Sequence, residues 1–152
     1  MPVRIIFVAL TMLVVQTQAP WLGGWKLDPA KSTGNTESRY KRVLLQIEST
    51  DDGLRVIYDM VGVRGGINHM EWTGKLDGKD YPVQGVDYVL TNAYSPIDSR
   101  SYRIVIKVDG VGVATAKVVV SVDGKTLTST STEKNARGEN VTTTSVYVKT
   151  EQ

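Results

Sequence analysis

The chain has 152 residues, with 18 Lys plus Arg against 16 Asp plus Glu, a single His and no Cys. A nearly balanced charge, with basic residues scattered among acidic ones, leaves no electrostatic footprint for nucleic acid. Without Cys there is no disulfide, lipoprotein anchor or Cys/His nucleophile pair, and one His cannot build a multi-histidine zinc site.

The first residues have the layout of a secretory leader. Met1 to Arg4 form a short positive start, Ile5 to Val15 are apolar apart from Thr11, and Gln16-Thr17-Gln18-Ala19 are polar and small. The apolar run falls short of the roughly 20 residues that a membrane-spanning helix needs. A cut after Ala19 places Thr17 and Ala19 at the small-residue positions, although Pro20 follows directly. The alternative is an N-terminal strand or helix buried in the fold. The reading is a signal peptide over 1–19 and a single domain over 20–152, in a periplasmic or secreted setting. About 130 residues suffice for one core.

Beyond the leader, residues 28–38 read as a turn-rich connection, and then period-two alternation takes over. Val43, Leu45 and Ile47 share one strand face, with Arg42, Gln46 and Glu48 on the other. After the turn at Asp51 to Gly53, Leu54, Val56, Tyr58 and Met60 repeat the pattern on a returning strand. Segments 67–75, 86–91, 111–122, 126–133 and 140–149 are β-rich, and 92–99 reads as a connection. Tyr102, Ile104, Ile106 and Val108 form another inward face. Asp52-Gly53, Gly65-Gly66, Asp77-Gly78, Asp109-Gly110, Asp123-Gly124 and Arg137-Gly138 punctuate these runs. Such pairs suit tight hairpins, because Gly enters positive φ freely and Asp tolerates it. The prediction is an all-β fold, an antiparallel up-and-down barrel of about eight or nine strands, since closure removes exposed edges. A β-sandwich is the alternative.

Chemistry-bearing residues are sparse. His69 and Glu71 share a strand face two residues apart, but Met70 and Trp72 occupy the other, so an inward Trp72 turns His69 and Glu71 to solvent. The acid pair Asp51-Asp52 sits in a turn without calcium-loop spacing. No catalytic residue, metal site or cofactor is assigned. The hydroxyl-rich run Thr126 to Thr132, with Thr142 to Ser145, suits a half-solvated hairpin. Alternatively, one row of it lines a polar cavity beside Tyr147.

Gly23-Gly24-Trp25-Lys26-Leu27 resembles the Gly-x-Trp opening strand of the lipocalin and fatty-acid-binding superfamily. Asp123-Gly124-Lys125-Thr126-Leu127-Thr128 with Val146-Tyr147-Val148-Lys149 resembles its closing hairpin. The middle, Glu71-Trp72-Thr73-Gly74-Lys75 and Asp77-Gly78-Lys79-Asp80-Tyr81-Pro82-Val83, is similar to small exported bacterial proteins described as lipocalin-like. The resemblance implies that Trp25 packs on the barrel floor beneath a basic side chain near the end of the last strand, here Lys149. It also marks two departures. Only about a dozen residues separate Leu27 from the strand beginning near Tyr40, too few for the two-helix lid of fatty-acid-binding proteins. Their carboxylate-holding Arg-x-Tyr pair reads Ser145-Val146-Tyr147 here. Hydrogen bonds to a charged group contribute about 1.5–3 kcal/mol, so the missing Arg weakens carboxylate preference by roughly tenfold to a hundredfold. A replacement charge would have to come from Arg103 or Lys41 under a different facing.

Three functional classes follow. The first is a module holding a small lipophilic or mixed-polarity ligand inside the barrel, with Tyr58, Met60, Tyr102, Ser145 and Tyr147 as its contacts. Burying about 300 Å² of apolar ligand at roughly 25 cal/mol/Å² gives about 7 kcal/mol before association costs, which allows micromolar or weaker binding. The second is a structural or interaction protein with a filled core. The third is a barrel isomerase or cyclase using Tyr and His69. The small row Gly112, Ala114 and Ala116 leaves the choice between hollow and filled open.

Overall fold

The computed structural model describes residues 18–34 and 40–151. Most of the leader, Met1 to Thr17, and part of the 28–38 connection lie outside the described residues. Ten strands follow one another: β1 (Gly23–Leu27), β2 (Tyr40–Ser49), β3 (Leu54–Gly62), β4 (Ile67–Gly74), β5 (Asp80–Gln84), β6 (Leu90–Asp98), β7 (Ser101–Val108), β8 (Val111–Val120), β9 (Thr126–Lys134) and β10 (Asn140–Lys149). Each pairs antiparallel with its sequence neighbour, and β1 also pairs with β10, closing the barrel. Closure excludes the sandwich and leaves no free edge. The expected strand count of eight or nine is corrected to ten.

The correction falls between Asp80 and Asp98. Residues 80–84 form a strand, Gly85 to Val89 are largely bends, and 90–98 form β6, so the expected strand at 86–91 and connection at 92–99 are both displaced. Tyr81, Pro82 and Val83 make too short a run to show a period. Pro96 disguises β6 as a loop. Tyr94 turns its carbonyl toward the β5 side, where it accepts from the Gly78 N–H at 2.9 Å. Pro96 has the same parity, so its missing N–H faces that side beyond the end of β5, and no ladder bond is lost.

All six Gly-containing turn signals fall in connections between consecutive strands. At the β7–β8 turn both central residues are left-handed, Asp109 at φ 49° and Gly110 at φ 78°, the geometry that matches strand twist. Gly85 has a different role. At φ 96° it lies backbone to backbone against the His69 carbonyl, where a Cβ would collide.

The inward faces are those read from alternation. Val43, Leu45 and Ile47 on β2, Leu54, Val56 and Met60 on β3, and Tyr102 and Ile104 on β7 are all buried. One end of the barrel is sealed. Trp25 is fully buried there, its Nε1 donating to the Trp21 carbonyl at 2.9 Å. Lys149, its register partner on β10, places Nζ 4.5 Å from the ring centroid and donates to the Leu22 carbonyl. Burial of that ammonium holds its pKa below the usual lysine value. The expected floor, Trp25 under Lys149, is thus present. At the opposite end, the turns and strand starts expose Val63, Ile67, Tyr88, Val89, Val111 and Val113. Between β1 and β2 the described residues hold one 3₁₀ turn, Pro29–Lys31, capped by Asp28 accepting from the Ala30 N–H.

Candidate functional site

Above the floor the barrel is not filled. A cavity of about 220 Å³ is bordered by Tyr58 on β3, Met70 and Trp72 on β4, Val83 on β5, Asn92 and Tyr94 on β6, Ile104 and Ile106 on β7, Ala116 on β8, and Ser129 and Ser131 on β9, with Leu90 and Glu71 at its margin. Strand register explains the void. Ser131, Ala116, Ile104 and Tyr94 stand side by side across β9, β8, β7 and β6. A serine and an alanine in that row withdraw the volume that larger side chains supply elsewhere. Wider depressions of about 430 Å³ are open to solvent, one along the β8 and β9 rim and one beside Trp21 and Leu76. The interior cavity is more sheltered than these and is walled by Tyr58, Trp72 and Tyr94.

Aromatic rings run down one side of the interior. Tyr81 meets Trp72 edge-on at 5.9 Å, and Trp72 stacks on Tyr94 at 3.9 Å. Tyr94 leans on Tyr102 at 5.4 Å, and Tyr102 meets Trp21 edge-on at 5.3 Å. Trp72 Nε1 donates to the Asn92 carbonyl at 3.1 Å, locking the ring into the wall. Such contacts fix orientation as well as burying area.

Four phenols share this interior. Desolvation pushes the Tyr58 pKa up to about 12, and it raises Tyr94, Tyr102 and Tyr147 strongly. Proximity of the Tyr58 phenol adds to the shift of the other three. All four remain neutral hydroxyls at ordinary pH, able to donate as well as accept. Tyr58 retains accessible surface because it faces the cavity.

Of the five residues expected from sequence to contact a ligand, Tyr58 borders the cavity. Met60 is buried on the same strand face, two residues nearer the mouth. Tyr102, Ser145 and Tyr147 are buried in the layer below, with Ser145 in register with Ser129 and Tyr147 with Leu127. Of the hydroxyl run, Ser129 and Ser131 border the cavity, while Thr126, Thr128, Thr130 and Thr132 alternate with them along β9. Asn92 and Tyr94 carry no sequence signal of their own, because Pro96 makes their segment read as a connection. Trp72, expected to point inward, also borders the cavity.

His69 and Glu71 lie on the outer face. His69 Nδ1 is 2.6 Å from Asp59 Oδ1 and its Nε2 is 3.6 Å from Glu71 Oε2, with the imidazole about half exposed at 54%. Arg55 Nε donates to Glu71 and its Nη1 to Glu48 at 3.3 Å. The Asp59 hydrogen bond holds the His69 pKa above its usual value, and the Arg55 bond holds Glu71 below the usual carboxylate range. These groups form a charged strip across β2, β3 and β4. Met70 and Trp72, as expected, point the other way.

No protein-family profile and no curated protein matches the chain in sequence. Solved structures do match in shape. A mutant of the fluorescent protein UnaG superposes with a TM-score of 0.60 at 14% identity, over 88% of this chain and 98% of that one. Zebrafish ileal bile acid-binding protein in complex with cholic acid superposes with a TM-score of 0.56 at 14% identity, over 86% of this chain and 99% of that one. What the two likenesses establish is the fold, a closed antiparallel β-barrel.

Proposed function

We propose that the protein is an exported carrier, periplasmic or secreted, that holds a small lipophilic molecule inside its barrel. The observation that carries this reading is the partly enclosed interior cavity of about 220 Å³, walled by Trp72, Tyr94, Ile104 and Ile106 and dotted with a few hydroxyls. Mostly apolar concave sites with a few oriented polar groups are the usual form of a ligand pocket. The zebrafish bile acid-binding protein supports the reading, because a barrel of similar shape is found there in complex with cholic acid. Tyr58 contacts the ligand directly. Met60 shapes the route toward the mouth, and Tyr102, Ser145 and Tyr147 form the layer on which the ligand rests. Export is supported by the basic, apolar and small-residue succession over Met1 to Ala19 and by the lack of Cys.

The test is displacement of a fluorescent lipophilic probe, alongside native mass spectrometry of the undenatured protein. Probe binding in the wild type and its loss in Ala116→Leu, which fills the cavity, are the expected results. A homogeneous empty mass with no probe binding overturns the carrier reading. For export, N-terminal sequencing of protein from the periplasmic fraction is expected to begin at Pro20. An intact Met1 confined to the cytoplasm overturns that part.

A further inference from the structure

The outer wall of the barrel changes character toward the mouth. Nearer the floor, β2, β3 and β4 carry the strip of paired charges that runs from Glu48 through Arg55 to His69. Toward the mouth the same strands set Arg42, Val61 and Ile67 in one register row. Arg42 and Val61 alternate with buried Val43 and Met60, so the row faces outward. Ile67 is 77% exposed, and Val63, on the turn that joins β3 to β4, is 60% exposed. Exposed apolar side chains rimmed by charge are the usual mark of a protein or membrane contact.

The rim here is cationic. Lys26, Lys41 and Arg42 border, with Val61, an open recess of about 310 Å³. Arg64 follows Val63 on the turn, and all four basic side chains are exposed. None of them pairs with a described carboxylate. The carboxylates at neighbouring positions are engaged elsewhere. Asp59, two residues before Val61, lies 2.6 Å from His69. Asp28, two residues after Lys26, accepts from the Ala30 N–H at 3.1 Å and lies 4.0 Å from Lys31. Across the mouth the pattern reverses, because Tyr88, Val89 and Val111 are exposed beside Asp87 and Asp109.

A soluble polyanion would answer the cations and leave Ile67 and Val63 in water. A folded acidic partner would need a concave apolar surface to receive the convex wall of a barrel. A fluid layer of anionic headgroups answers both, since it conforms to the wall and admits apolar side chains at its boundary. Each basic side chain near such a layer contributes roughly fivefold in affinity. We propose that the outer wall of β2, β3 and β4 at the mouth docks on an anionic lipid bilayer, with lipid phosphates in the recess of Lys26, Lys41 and Arg42 and with Ile67 and Val63 at the headgroup boundary. This contact is independent of what the cavity holds.

Co-sedimentation of the purified protein with vesicles tests it, using phosphatidylcholine alone and phosphatidylcholine mixed with phosphatidylglycerol. At about 0.1 M salt the protein is expected to bind the mixed vesicles at least about tenfold more tightly than the neutral ones. Binding should be lost at about 1 M salt, where the screening length falls from about 10 Å to about 3 Å. The double substitution Lys41→Gln with Arg42→Gln is expected to weaken binding at least about tenfold, and Ile67→Ser about fivefold. Lys117→Gln, at an exposed position on β8, should leave it unchanged. Equal binding of wild type to both vesicles, or binding to neither, overturns the inference whether or not the variants fold. An equal loss in Lys117→Gln and the double variant overturns the assignment to this wall. Dextran sulfate bound as tightly as the mixed vesicles, with Ile67→Ser affecting neither, gives the cations to a soluble polyanion and overturns the lipid contact. Lipophilic-probe binding in the cavity is read separately, so the carrier reading stands or falls on its own.

Discussion

The two ends of this barrel solve opposite problems with the same strands. At the floor, Trp21, Trp25, Leu54, Val120 and Leu127 are buried, and Lys149 caps Trp25 through its ring face and the Leu22 carbonyl. A few strand positions away, the same faces carry Ser129, Ser131 and Ala116, and a void opens. Inward-facing position alone therefore does not make a core. Side-chain volume at those positions decides whether the interior becomes stabilising contact or receptive space.

Substitutions at the two ends should part stability from binding. Trp25→Ala is expected to have the largest effect, a loss of about 3–5 kcal/mol in urea unfolding, because the floor cannot collapse around a missing indole. Ala116→Leu should change stability by less than about 1.5 kcal/mol, since it fills existing space. The same variant should weaken lipophilic-probe binding at least about tenfold; a comparable stability loss in both variants would erase the distinction between the ends. Lys149→Met keeps the apolar stem and removes the ammonium over Trp25, with an expected cost of about 1 kcal/mol and unchanged probe affinity.

The smallest effect belongs to the outer face, at His69. Its pKa is raised above 6.5 in the folded protein, chiefly by the Asp59 hydrogen bond. Because the folded state holds the proton more tightly, the stabilisation is fully present below pH 6.5 and is lost as pH rises through the folded value. The difference in urea midpoint between wild type and His69→Gln should shrink over that window, and an NMR titration should find the imidazole pKa lowered in Asp59→Asn. Probe affinity should stay constant throughout, since His69 faces away from the cavity.

Much of the frame was legible because alternation is a local signal. Val43 to Ile47, Leu54 to Met60 and Tyr102 to Val108 each display their inward face without reference to any partner strand, and Gly-containing pairs mark the corners. Trp25 and Lys149 were legible from a resemblance at the two ends of the chain. β5 and β6 were hidden for a physical reason. Pro82 and Pro96 argue against a strand unless the side that each donor would face is known, and that is a property of the neighbouring strand. Asn92 and Tyr94 were lost with β6, and with them two of the cavity's polar and aromatic wall residues. Whether Ser129 and Ser131 meet water or a cavity likewise depends on what stands across the barrel, which the hairpin's own residues do not encode.

Strand closure is uneven around the circumference. β3 and β4 stay in register from Leu54 opposite Gly74 to Val61 opposite Ile67, whereas β4 and β5 face each other only at Glu71 with Gln84 and Trp72 with Val83. Gly85 then leaves the ladder, pressed against the His69 carbonyl. Amide hydrogens along this line should therefore exchange with deuterium by local opening, at a lower free energy than those of the long β2–β3 and β3–β4 ladders. Exchange there that is no faster than in β2 and β3 would show the short β4–β5 ladder to be as firmly shut as the long ones.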